Sequence, residues 1–84
     1  GRGQMETRAA QLASKRLETL RRIANSTSPR CTAGALANGG PVTSQGVTES
    51  WQLTGATPRT VSVTVSYMTA RGTHTDVLTT RIWC

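Results

Sequence analysis

Residues 60–68 read TVSVTVSYM. Val61, Val63, Val65 and Tyr67 alternate with Thr60, Ser62, Thr64 and Ser66. Side chains of an extended chain point to opposite faces in turn, so this stretch has one apolar face and one hydroxyl-bearing face. Valine and threonine are also the residues that sit best on a pleated surface. The reading is a strand with one side turned to a core, and such a strand needs both sheet neighbours and a cover for its apolar side.

The neighbours follow on either side. Residues 47–53 alternate too, with Val47, Trp51 and Leu53 on one face and Thr48, Ser50 and Gln52 on the other. Residues 55–58, GATP, read as a turn between the two strands. Residues 69–74, which contain Gly72, read as the next hairpin, with His74 in its loop. A last strand over residues 75–83 puts Leu78, Ile82 and Cys84 on one parity, the inner one. Upstream, residues 30–46 (RCTAGALANGGPVTSQG) are small and polar, with Asn38-Gly39-Gly40-Pro41 as a turn signal. This segment reads as a connecting loop with a short edge strand at about residues 42–44.

The cover comes from the N-terminal part, residues 5–25. On a 3.6-residue wheel Met5, Ala9, Ala10, Leu12, Ala13, Leu17, Leu20, Ile23 and Ala24 share one arc, with Arg8, Gln11, Lys15, Glu18 and Arg22 opposite. Arg16 breaks the pattern, projecting into the apolar arc. Its stem is expected to run along the core with its head in water or on a partner. Glu18 precedes Arg22 by four residues, and Arg21 and Arg22 suit the negative end of the helix dipole. Ser26-Thr27-Ser28-Pro29 stops the helix near Asn25. No strong N-cap precedes Met5, Thr7 being a cap only for a shorter helix. The chain therefore reads as one α+β domain over residues 1–84, one amphipathic helix packed across a three- to four-stranded antiparallel meander.

With 84 residues, no Phe and three aromatics (Trp51, Tyr67, Trp83), the core is small, and a cross-link or neighbouring chains are expected to support it. Cys31 follows the helix and Cys84 is the last residue. Their positions suggest a bridge formed in an oxidising compartment, with reduced half-buried thiols or a bridge between chains as the alternatives. No run approaches the eighteen or so apolar residues that span a bilayer.

The catalytic inventory is thin. The single histidine, His74, lies two residues before Asp76, a pair that could orient a base but reads as a solvated pair at a turn. No glycine-rich loop has phosphate-binding spacing, and two distant cysteines and one histidine fall short of a metal site. No enzyme activity, cofactor or metal is expected. The charge is more informative: the chain is net +6, and residues 1–30 carry seven basic side chains against two acids. Arg8, Lys15 and Arg22, spaced seven apart, form a stripe along the polar side of the helix, with Arg16 nearby. Such a stripe attracts phosphates, as in nucleic acid, or anionic lipid headgroups, or simply keeps the helix solvated. No aromatic is interleaved with it to stack on bases.

The sequence AxxLASKRLETLRR, followed by a Ser/Thr/Pro break and a Thr-rich meander ending in cysteine, resembles type IV pilin-like proteins, especially the small minor pilins and the minor pseudopilins of type II secretion. The pattern lies in Leu12, Ala13, Leu17, Glu18, Leu20 and Arg21. The resemblance implies a structural subunit of a periplasmic or surface filament, whose partners are other subunits of that filament. In that family an apolar half-helix anchors the subunit in the inner membrane. The resemblance therefore implies that the helix at Met5 is the lower half of a longer one, with residues 1–4 a remnant ahead of it. A DNA-binding minor pilin, or a free-standing nucleic-acid-binding module using the basic face, is the alternative.

Overall fold

The valine strand lies inside a four-stranded antiparallel sheet of order β1-β2-β3-β4. The computed structural model describes residues 2–55 and 58–84. Its elements are α1 (Arg2–Asn25), β1 (Gly39–Ser44), β2 (Val47–Thr54), β3 (Arg59–Thr69) and β4 (Gly72–Ile82). The expected turn over residues 55–58 includes residues 56 and 57, which lie outside the described residues. The α+β architecture is the one the alternation predicts.

Register puts like with like. Val61 stands between Leu53 and Thr80, Val63 between Trp51 and Leu78, and Tyr67 between Val47 and His74. On the other face Ser62 stands between Gln52 and Thr79, and Ser66 between Thr48 and Thr75. Hydroxyl contacts tie that outer face together across strands, Ser62 to Thr79 at 3.3 Å and Thr43 to Thr48 at 3.1 Å.

Helix α1 lies chiefly over β3 and touches β2 and β4 on either side. Among the described side chains of the helix Ala9, Ala13, Leu20 and Ala24 are buried, in one core with fully buried Val47, Val61, Val63 and Val65. Three alanines in that seam let the helix backbone approach the sheet closely, and Leu20 fills the space between them. Leu17 is half-buried beside it.

The loop expected over residues 30–46 is more structured than its composition suggests. β1 is a full edge strand from Gly39, and the hairpin to β2 turns at Gln45 (φ 52°) and Gly46 (φ 82°). Two consecutive positive φ values make this a tight hairpin whose twist matches its strands. The Asn38–Pro41 signal does not turn a hairpin; it carries the chain past the Trp51 indole, where a Cβ on Gly39 would collide with the ring. Leu36, buried, adds a core residue from the same segment. His74 also departs from expectation, because β4 begins at Gly72 and so places it within a strand.

Below the helix, Ser26 bonds back to the Ile23 carbonyl, and the Cys31 N–H donates to the Ala24 carbonyl at 3.0 Å. This wrap delivers Cys31 to Cys84, which form a disulfide with Cα atoms 5.7 Å apart. The bridge ties the helix exit to the end of β4.

Two outcomes follow for stability. Leu20→Ala should cost about 2–5 kcal/mol in a denaturant titration, whereas Met68→Ala on the exposed outer face should stay within about 0.5 kcal/mol. The unreduced protein should show no alkylatable thiol, and replacing both cysteines by serine should lower stability by roughly 4 kcal/mol through the long loop released.

Candidate functional site

The basic helix face divides in two once the side chains are placed. Arg8 is half-buried, and its guanidinium donates to the Gln45 carbonyl at 3.1 Å, latching the helix to the β1–β2 hairpin. It is therefore a structural contact as well as a charge. Lys15 and Arg22 are exposed. Lys15 borders an open groove of about 320 Å³ between α1 and β1, lined also by Leu12, Arg16, Thr19, Val42, Ser44 and Glu49. Arg21 leans the other way and donates to the Thr80 hydroxyl at 3.2 Å. Arg8 and Lys15 thus lie on the β1 side of the molecule, and Val42, 44% exposed, is the exposed apolar residue beside Lys15.

Arg16, which the wheel places in the apolar arc, finds a partner within the chain. Its Nε and Nη2 donate to the two carboxylate oxygens of Glu49, each at 3.2 Å, and its guanidinium carbon lies 3.8 Å from the centre of the Trp51 ring. Glu49 shares inner-face parity with Val47 and Trp51, so its side chain enters the core region and keeps only 8% exposure against 28% for Arg16. A carboxylate so placed needs a cation with directed donors, and the forked guanidinium supplies both. The alternation in residues 47–53 carried the signal: an acid at an inward position opposite an outlying arginine of the helix.

Trp51 extends the same group. Its indole N–H donates to the Ala37 carbonyl at 3.1 Å, and the Leu53 N–H donates to Asn38 Oδ1 at 2.7 Å. Helix, β2 and the incoming loop are joined through one ion pair and one ring.

At the far end of the sheet His74 and Asp76 are paired, Nε2 to Oδ1 at 3.1 Å, each about half-exposed. The His74 ring meets Tyr67 at 5.2 Å. A shallow pocket of about 240 Å³ there is lined by Glu6, Tyr67, Thr69, Arg71, Thr73 and His74. The nearby hydroxyls are engaged in the turn, Thr69 donating to the Gly72 carbonyl and Thr73 to the Met68 sulfur. Among the described residues no three His, Cys, Asp or Glu side chains converge as metal ligands, and no helix is long and apolar enough to cross a membrane.

Arg16→Met should cost about 2–4 kcal/mol in a denaturant titration, somewhat less than breaking a fully buried pair because Arg16 keeps contact with water. Adding Glu49→Leu should restore most of that stability. A double-mutant cycle would read the coupling, and strictly additive costs would show that the pair does not act as a unit.

Compared with protein-family profiles, with curated proteins and with solved structures, the chain finds no significant match.

Proposed function

We propose that this chain is a structural subunit, of minor pilin or minor pseudopilin type, in a type IV pilus or type II secretion-type filament. The observation that carries the reading is the arrangement itself. A 24-residue helix lies along one face of an antiparallel meander, and a disulfide ties the helix exit to the end of the last strand. The resulting body is elongated, 46 × 19 × 17 Å, a shape suited to stacking side by side. In this reading the domain works in the periplasm or on the cell surface, where a disulfide persists. An apolar segment ahead of the helix would hold the subunit in the inner membrane before assembly, and the exposed cations would meet acidic patches of neighbouring subunits.

The stripe supports a second reading, duplex DNA binding, and one pair of substitutions separates the two. Lys15→Gln with Arg22→Gln removes the exposed charges while sparing the Arg8 latch, so melting should change little. Under the filament reading this double variant should fail in assembly or secretion in the producing cell, with DNA retention unaltered. Under the DNA reading assembly should persist, and the slope of log affinity against log salt should flatten by about 1.8, roughly 0.9 for each phosphate no longer neutralised. If neither property changes, the stripe is a solvated face. A coding sequence upstream of Met5 that lacks an apolar run of about twenty residues would overturn the membrane-anchored part of the reading.

A further inference from the structure

The two edges of the sheet differ in how they meet other chains. β1 is six residues long, its register shifts between Gly39 and Val42, and it carries Pro41, which has no N–H to offer. Shortness, a bulge and a proline all blunt an edge against further pairing. β4 has none of these. It runs for eleven residues and pairs with β3 without a break from Ile82 opposite Arg59 to Gly72 opposite Thr69. No described strand lies on its other side. Thr73, Thr75, Val77, Thr79 and Arg81 stand exposed along its outer face, Val77 at 57%. The backbone N–H and C=O groups along that side form a ready template for another strand.

Charge points to the occupant. An inward-pointing acid on an edge strand ordinarily discourages pairing. Asp76 is such an acid, but His74 sits two residues away on the same face, hydrogen-bonded to it. In an antiparallel pair of β4 strands with the two-fold axis at Thr75, His74 falls opposite Asp76 of the second copy, and Asp76 opposite its His74. The strand is self-complementary in that register. An axis at Asp76 would set the two carboxylates face to face, and one at Val77 would set them on the diagonal, where like charges repel. The acid therefore selects a register instead of forbidding one. Lys15 and Arg22 of the basic stripe lie away from this edge, and Arg81, the cation on β4 itself, stands on the outer face, opposite to that of the His74–Asp76 pair.

We propose that β4 is the docking edge for a second copy of this chain. The strands join antiparallel about Thr75 with crossed His74–Asp76 pairs, making an eight-stranded sheet with both helices on one face. This goes beyond the filament reading and is independent of it.

Sedimentation equilibrium of the full chain at neutral pH should show a concentration-dependent monomer–dimer equilibrium. Asp76→Lys, or Asp76→Asn if the lysine variant loses its native circular dichroism, should raise the dissociation constant about tenfold or more. Exchanging the pair (His74→Asp with Asp76→His) should bring association back. Thr75→Cys should give a disulfide-linked dimer under mild oxidation, and Val77→Cys should give much less. The proposal is overturned by a wild-type chain that stays monomeric to about 1 mM, by Asp76 variants that associate like wild type, or by cross-linking at Val77→Cys in preference to Thr75→Cys.

Discussion

The apolar ribbon of β3 is the constraint on which the rest of the molecule turns. Val61, Val63 and Val65 show no exposure at all, and without a cover they would form an apolar band along the middle of the sheet. With no phenylalanine in the chain, bulk cannot supply that cover. Close approach supplies it instead: Ala9, Ala13 and Ala24 let the backbone of α1 come down onto the valines, and Leu20 closes the remaining gap. Small residues on the helix and β-branched residues on the strand give dense packing from a modest supply of carbon. The disulfide then holds the helix exit against the end of β4, where this thin core runs out.

Within that seam the chain places one charge, and it constrains the geometry more than any single apolar residue does. Glu49 at an inward position tolerates burial only when the helix presents Arg16 at one height and one rotation. A sliding or rotated helix could still satisfy alanines and valines, but it would leave this carboxylate without its partner. The same arginine lies on Trp51, whose indole N–H holds the Ala37 carbonyl. Helix register, the inner face of β2 and the path of the loop are coupled at this point. Buried ion pairs add little net stability compared with apolar residues of the same volume. This pair instead selects which of several similar helix placements leaves the carboxylate partnered.

Much of the fold was legible because alternation and helical periodicity report burial directly. The helix, the three later strands, their inner faces and the pairing of the cysteines all followed from spacing and position. What escaped was encoded in contacts rather than in period. β1 reads as loop because Gly39, Gly40 and Pro41 are turn residues, yet they serve there to bring the chain past a bulky ring. Glu49 looks like an ordinary polar residue in an alternating strand, and only its parity marks it as inward. Arg16 stood out on the wheel, but a wheel shows no sheet, so its partner was invisible. Arg8 looked equivalent to Lys15 and Arg22, and only the hairpin carbonyl beside it makes the difference. His74 reads as a loop residue because Gly72 suggests a longer turn than the one the chain makes.

The separation of surfaces has a consequence for assembly. A contact that uses the same strand on both partners is closed at two copies, since each β4 edge is consumed by the other. A contact that joins different surfaces can repeat without end. In this chain the strand proposed for the first kind and the cations proposed for the second lie at opposite edges of one sheet, β4 at one and the Lys15 groove beside β1 at the other. Pairing through β4 would leave both basic sides exposed and pointing outward, so a dimer would offer acidic partners two equivalent docking faces. It would also place four more strands beside a sheet whose outer face is largely threonine and serine. That face is rich in cross-strand hydroxyl contacts, and its large apolar residues, Met68 and Val77, are scattered, so widening it adds surface without adding a broad apolar patch. The two proposed contacts are therefore compatible, because the first is built on β4 and the second on Lys15 and Arg22, with no residue in common.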